Sequence, residues 1–224
     1  MSTAIAIFVK TPGLSPIKTR LAADIGSTEA IRFHRLAAAA TAEVISACGP
    51  LLTPYWAVAE EAAFADETWL GFPRIWQGPG SLGQRLHRIH AQLLNRHDSA
   101  LLIGADTPQL TPALLQRSTA MLREPETSYV MGPANDGGFW LFGSKRPVPA
   151  TTWRAVPYSR HDTADVLRHA LRDTGRLETL PLLADVDNAR DVPALYEALL
   201  HLSTPTTTQI ELIDWAGKID SGSA

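Results

Sequence analysis

Six consecutive apolar residues, Ala4-Ile-Ala-Ile-Phe-Val9, open the chain and stop abruptly at Lys10. A short apolar run with β-branched residues and no polar alternation suits a strand covered on both faces, as in a parallel sheet. Comparable runs at Tyr55–Ala59, Arg74–Trp76, Ala100–Ile103, Tyr129–Met131, Phe139–Phe142 and Thr179–Leu183 read as further strands. Helical patterns lie between most of them. Ser27 is a candidate N-cap for a long Ala-rich helix that carries Ile31, Leu36 and Val44 and ends near Gly49. Ser81 to Asn95 places Leu82, Leu86, Ile89 and Leu93 on one stripe. Thr111, with Pro112 behind it, caps a helix running to about Arg123. Thr163–Thr174 and Asn188–Leu202 complete the set. Strands alternating with helices predict a layered α/β fold with a largely parallel sheet.

Composition narrows the function classes. The chain has 224 residues, 45% of them hydrophobic, which is enough for one substantial core. Lys and Arg number 20 against 23 Asp and Glu, a net charge of −3. That balance argues against a nucleic-acid partner, because phosphate contacts need a basic face. Cys48 is the single cysteine, so neither an intrachain disulfide nor a thiolate zinc site can form. The Ala-rich stretch Leu36–Cys48 contains Thr41 and Glu43 and is too short for a membrane span. No secretory signal opens the chain, and the expected location is the cytoplasm. Residues 1–202 read as one domain and 203–224 as a C-terminal extension of uncertain order. The oligomeric state stays open.

Ligands of open α/β sheets sit beyond the carboxyl ends of the strands. Five polar segments lie at or near such positions. Lys10-Thr-Pro-Gly-Leu-Ser-Pro-Ile-Lys-Thr-Arg-Leu21 follows the first strand. Its backbone amides, with Lys18 and Arg20, suit a pyrophosphate, although the Walker spacing is missing and a solvated basic turn is an equal alternative. Gln77-Gly-Pro-Gly-Ser-Leu-Gly-Gln-Arg85 has glycines at 78, 80 and 83 that permit close backbone approach; alone, it reads first as a turn capped by Ser81. Asp106, in Gly104-Ala-Asp-Thr-Pro108, has no evident capping duty because Thr111 supplies the next cap. It stands where a metal-bound phosphate could be reached. Asn135-Asp-Gly-Gly138 between two apolar runs is first a hairpin turn and second a site. Asp185 and Asp187, at i and i+2 in extended chain, point the same way and could share a cation with Asp106; alternatively Asp187 or Asn188 caps the last helix.

Other residues receive plainer readings. His87 and His90 lack a third ligand and read as a solvated helix face. His34, His97, His161, His169 and His201 read as surface or packing residues. Trp56, Trp69, Trp76 and Trp153 read as core or pocket wall. No Gly-x-Ser-x-Gly elbow occurs, which weakens any nucleophilic hydrolase reading.

Taken in order, Phe8-Val-Lys-Thr-Pro12, Ile17-Lys-Thr-Arg-Leu-Ala22, Gln77-Gly with Leu82-Gly-Gln-Arg85, Gly104-Ala-Asp-Thr-Pro108, Gly132-Pro-Ala-Asn-Asp-Gly-Gly138 and Asp185-Val-Asp-Asn-Ala-Arg-Asp191 resemble a bacterial group of GT-A-type, glycosyltransferase-like proteins of the nucleotide-diphospho-sugar transferase superfamily. The resemblance covers about residues 4 to 200. It implies a single Rossmann-like GT-A domain, three-layer α/β/α with a mostly parallel mixed sheet. It also implies a nucleotide or nucleotide-sugar, a small-molecule acceptor and a divalent cation, Mg²⁺ or Mn²⁺. By position, Lys18, Thr19 and Arg20 hold phosphates, with Lys10, Thr11, Gly83 and Arg85 as further nucleotide contacts. Asp106 is a catalytic and metal-binding carboxylate, and Asp185 and Asp187 complete the metal shell. Asp136 is the candidate base or acceptor-orienting group, with Asn135, Gly137 and Gly138 on the acceptor side. Ser81 stands where the family usually has Asp. Three activities compete: glycosyl transfer from a nucleotide-sugar, nucleotidyl transfer releasing pyrophosphate from an NTP, and nucleotide binding without turnover.

Overall fold

The computed structural model of the chain describes residues 2–65, 67–220 and 222. Its frame is one seven-stranded sheet: β1 (Thr3–Val9), β2 (Thr53–Val58), β3 (Arg74–Trp76), β4 (Ser99–Gly104), β5 (Thr127–Pro133), β6 (Phe139–Ser144) and β7 (Arg176–Thr179). The spatial order is β3-β2-β1-β4-β6-β5-β7. All pairings are parallel except those of β6, which runs antiparallel to both β4 and β5. A hairpin turn joins β5 directly to β6, so this step needs no crossover helix.

The helices are α1 (Thr19–Ile25), α2 (Ser27–Ala47), α3 (Leu82–Leu94), α4 (Pro112–Arg123), α5 (Ala150–Ala155), α6 (Thr163–Leu171), α7 (Val192–Leu200) and α8 (Thr207–Asp220). Alternation along β1 sorts them into layers. Ile5, Ile7 and Val9 join Val44 and Ile45 of α2 and Leu115 and Leu122 of α4 on one face. Ala4 and Ala6 face α3, α5 and α6 through Ile89, Leu93, Trp153 and Leu167. That second face is built from small residues on the central strands, including Ala57 and Ala100, which leaves room for the large rings of Tyr129, Phe142 and Trp153. Among the described residues the result is a single three-layer α/β/α unit with a mixed, mostly parallel sheet.

A third cluster explains the Ala-rich helix. Ala30, Phe33, Ala37 and Ala40 of α2 pack against Val192, Leu195 and Leu199 of α7 and Leu212 and Trp215 of α8. α2 is therefore buried on two sides. Beyond residue 202, Thr207–Asp220 form α8, whose Trp215 ring lies 5.0 Å from that of Phe33.

Several local expectations are corrected. Residues Thr19–Ile25 form a separate short helix. Gly26, at φ 86°, turns the chain into α2 and occupies its N-cap position, so Ser27 is the first helical residue rather than the cap. The strand expected at Thr179–Leu183 lies earlier, at Arg176–Thr179. Pro181 explains the shift: it has no N–H to donate, and its carbonyl instead accepts from Trp140 Nε1 at 3.0 Å. α5 carries no capping residue and only six residues, too few for a periodic signal. His90 is not on a solvated face: it is 1% exposed, with Nε2 2.7 Å from Ser144 Oγ. Ser81 and Thr111 cap α3 and α4 as their sequence positions predict.

Candidate active site

A cleft of about 1020 Å³ opens beyond the carboxyl ends of β1 and β4. Parallel register sets the tips side by side, with Phe8 opposite Gly104, so the loops that follow converge. Asp106, Asp136, Asp185 and Asp187 line it, as do Lys10, Lys18, Thr19, Arg20, Arg85 and Gly138. These ten residues come from all five segments singled out in the sequence.

Each carboxylate has a backbone reason for its place. Asp106 leaves β4, and its carbonyl accepts the Val186 N–H at 3.3 Å, tying that loop to the segment after β7. Asp136 sits in the β5–β6 turn, where its Oδ1 accepts the Gly138 N–H at 2.7 Å. Asn135 Oδ1 accepts the Asp185 N–H at 3.1 Å. Asp191 accepts the N–H groups of Asp187 and Asn188 at 2.8 and 2.9 Å, a capping box that holds the Asp185–Asp187 segment still. Carboxylate oxygens of Asp136, Asp185 and Asp187 all lie within 4.8 Å of one another. Burial, reinforced by the negative charges of Asp136 and Asp187, pushes the Asp185 carboxyl up to about 6.

Lys18 stands among these acids. Its backbone is left-handed, at φ 40° and ψ 53°, and it precedes α1. Its ammonium donates to the Val186 carbonyl at 2.6 Å and lies 3.1 Å from Asp106 Oδ2 and 3.3 Å from Asp187 Oδ1. Burial works against its charge, but Asp106 and Asp187 outweigh that and hold its pKa above the ordinary lysine value. Asp187 also reaches Arg20 Nη1 at 3.1 Å through its second oxygen. The Asp136–Asp185–Asp187 group fits the ligand chemistry of Mg²⁺ or Mn²⁺, with Asp136 standing in it where the sequence reading expects Asp106, which pairs with Lys18 instead.

Four residues of the sequence reading do not line the cleft. Thr11 is buried, donating its N–H to Glu60 Oε2 at 2.9 Å and accepting from Trp69 Nε1 at 2.9 Å. Gly83 lets α3 approach α5, since a Cβ there would meet the Trp153 carbonyl and the Tyr158 ring. Asn135 positions Asp185, as above. Gly137, at φ +86°, lies against the backbone of His161. His34 is 6% exposed and reaches the Lys10 carbonyl at 2.9 Å, steadying the first loop.

The sequence reading missed Tyr158–Thr163, which forms another wall of the cleft. Ser159 is left-handed at φ 61°. Arg160 forks onto Asp162 through Nε and Nη2, both at 3.0 Å. Thr163 Oγ1 accepts the Arg160 N–H at 3.2 Å, and Ala164 donates to the Gly137 carbonyl at 2.9 Å, which pins the segment to the turn carrying Asp136. This segment follows a helix, so a rule about strand ends passes over it. The polar run Ser-Arg-His-Asp-Thr ahead of α6 was the available signal.

Solved structures place this geometry in a known fold. A "putative nucleotide-diphospho-sugar transferase" from Desulfovibrio desulfuricans G20 superposes with a TM-score of 0.84 at 22% identity, covering 100% of this chain and 99% of that one. Rv0371c from Mycobacterium tuberculosis H37Rv gives 0.59 at 19% identity, covering 88% and 99%, and its manganese complex gives 0.51. A cytidylyltransferase from Leptospira borgpetersenii gives 0.56 at 12% identity, covering 99% and 96%. The fold is thus the Rossmann-like one of nucleotide-diphospho-sugar transferases. No curated protein matches the sequence. The pattern of DUF2064, described as "uncharacterized protein conserved in bacteria", matches residues 36–160, more than half of the chain, and the chain belongs to that family.

Proposed function

We propose that the chain is a divalent-cation-dependent transferase that takes a sugar from a nucleotide-diphospho-sugar donor and passes it to a small acceptor. One observation carries the reading: four carboxylates and the cations Lys10, Lys18, Arg20 and Arg85 line a single cleft at the strand ends. Opposite charges collected this way suit a substrate that bears phosphates and arrives with a metal. Asp185 and Asp187, flanked by Asp106 and Asp136, would hold the cation, which would supply positive charge at the departing diphosphate. Arg20, 74% exposed on its side chain, needs only to leave its surface pairing with Asp187 to turn toward a phosphate, and Thr19 beside it offers a hydroxyl. Asp136, fixed by the Gly138 N–H, orients the acceptor hydroxyl or accepts its proton. The manganese complex of Rv0371c supports the choice of cation.

A second reading is nucleotidyl transfer, favoured by the likeness to a cytidylyltransferase. In that case an acceptor attacks the α-phosphate of an NTP and pyrophosphate leaves. Product analysis separates the two. The protein is incubated with Mn²⁺ and a panel of UDP-, GDP-, ADP- and CDP-sugars, and separately with the four NTPs. Nucleoside diphosphate released from a nucleotide-sugar supports the first reading; pyrophosphate released from an NTP supports the second. In the first case Asp106→Asn should remove Mn²⁺-dependent donor binding in calorimetry, and unchanged affinity would refute that role.

A further inference from the structure

We propose that Lys18 is a built-in counter-cation: its ammonium bridges Asp106 and Asp187 until the phosphates of an incoming ligand take it up, so that divalent cation and phosphate ligand bind cooperatively. The inference rests on the phosphate-binding reading above and adds an order to it.

The hydrogen-bond inventory carries the argument. An ammonium has three protons. Lys18 Nζ faces three acceptors: Val186 O, Asp106 Oδ2 and Asp187 Oδ1. Two of its protons go to Val186 O and Asp187 Oδ1, and its charge is also paired with Asp106, so a phosphate must compete for the ammonium while this arrangement lasts, although Lys18 sits beside Thr19 and Arg20 on the wall of the cleft. Its side chain is only 8% exposed, so water does little to replace a lost partner. The left-handed backbone at Lys18 is unfavourable for a residue with a Cβ, and it directs the side chain at the acids. Asp187 is the shared member, touching Lys18 and Arg20 and lying within the group it forms with Asp136 and Asp185.

Two consequences follow from charge. A divalent cation entering alone meets an Asp187 already neutralised and a resident positive charge about one contact away. A phosphate gives the ammonium a new partner, and the four-carbon stem lets it change partners while the backbone stays in place. Release of Asp106 and Asp187 then favours the cation. Because coupling is reciprocal, the cation must strengthen phosphate binding by the same factor.

The test uses the full chain, Mn²⁺ and inorganic pyrophosphate, a probe that needs no knowledge of the base. Mn²⁺ affinity is measured by electron paramagnetic resonance for the wild type, Lys18→Met and Lys18→Gln, with and without pyrophosphate. Both variants should bind Mn²⁺ alone at least about tenfold more tightly than the wild type, for loss of one repelling charge. Pyrophosphate should then tighten Mn²⁺ binding less in the variants than in the wild type. Equal or weaker Mn²⁺ affinity in the variants overturns the proposal. A second readout needs no substitution: the Lys18 ¹⁵Nζ resonance should shift when Mg²⁺ and pyrophosphate are added together, and a resonance that stays put also overturns it. Nucleotide binding by the wild type with no gain in the variants would remove the Lys18 role and leave the proposed function standing. Tighter Mn²⁺ in the variants, with no nucleotide-sugar or NTP bound by any of the three proteins, would do the reverse.

Discussion

Protonation of His90 should cost the fold most of the stability that its neutral ring supports. The ring is 1% exposed, with its centroid 6.0 Å from that of Phe142 and 5.6 Å from that of Trp153. Ser144 spends its hydroxyl proton on the Arg146 carbonyl at 2.8 Å, so His90 Nε2–H must be the donor in the 2.7 Å contact with Ser144. Burial, helped by the nearby His87, lowers the His90 pKa from 6.5 to about 4. Since the folded value lies below the unfolded one, the contribution is complete above about pH 6.5 and is lost as the pH falls toward 4. The full interval is equivalent to about 3 kcal/mol, of which about 2 kcal/mol is gone by pH 5. Asp185 works in the opposite sense. Its carboxyl is raised from 3.8 to about 6, so its protonation favours the folded state as the pH falls through 6. Partial exposure reduces that gain to about 1–2 kcal/mol. A single acid titration would blur the two, and His90→Gln separates them, because glutamine keeps an N–H for Ser144 and cannot titrate. Urea unfolding at pH 7, 6 and 5 should show the wild type losing about 2 kcal/mol more than His90→Gln by pH 5. Parallel pH dependences in the two proteins would refute the reasoning.

Three further substitutions test the packing around the site. Gly83→Ala should push α3 from α5, lowering stability by about 1–3 kcal/mol in a thermal melt, because its Cβ meets the backbone carbonyl of Trp153; an unchanged melting temperature would mean the two helices slide apart freely. Gly137→Ala meets both a positive φ and the His161 backbone. It should displace Tyr158–Thr163 from the Asp136 turn, read as faster amide exchange at Ala164, whose N–H bonds to the Gly137 carbonyl. Trp215→Ala removes a ring that is 1% exposed and donates to Glu29 Oε2 at 2.8 Å. It should cost about 3–5 kcal/mol and open α8 to limited proteolysis before the sheet unfolds.

The sequence was most readable where burial and chain direction act together. β1 and β4 are apolar on both faces, so their ends are sharp, and the polar residues beyond them had to fall at one edge of the sheet. That reasoning locates Lys18, Asp106 and Asp187 correctly in one cleft. It does not reveal that Lys18 is paired with the two acids, because the pairing depends on a left-handed φ and on residues as far as 169 positions apart. Pattern also misled at His90: a polar residue on an apolar stripe looks solvated until Ser144, on a different element, supplies its partner. Thr11 and Gly83 sit in phosphate-like motifs, yet one is spent on Glu60 and Trp69 and the other on helix contact. A motif marks a place in the chain, while the hydrogen-bond partners decide which of its residues face the ligand.

The Lys18–Asp187 pair joins residues 169 positions apart and closes over three quarters of the chain. Contacts this distant in sequence pay their loop-closure entropy late, after the sheet between them has assembled. The cleft should therefore be among the last parts to form and one of the first to open. A ligand that spans Arg20, Asp106 and Asp187 would act as a latch on the finished molecule. It would slow unfolding and leave the folding rate nearly untouched.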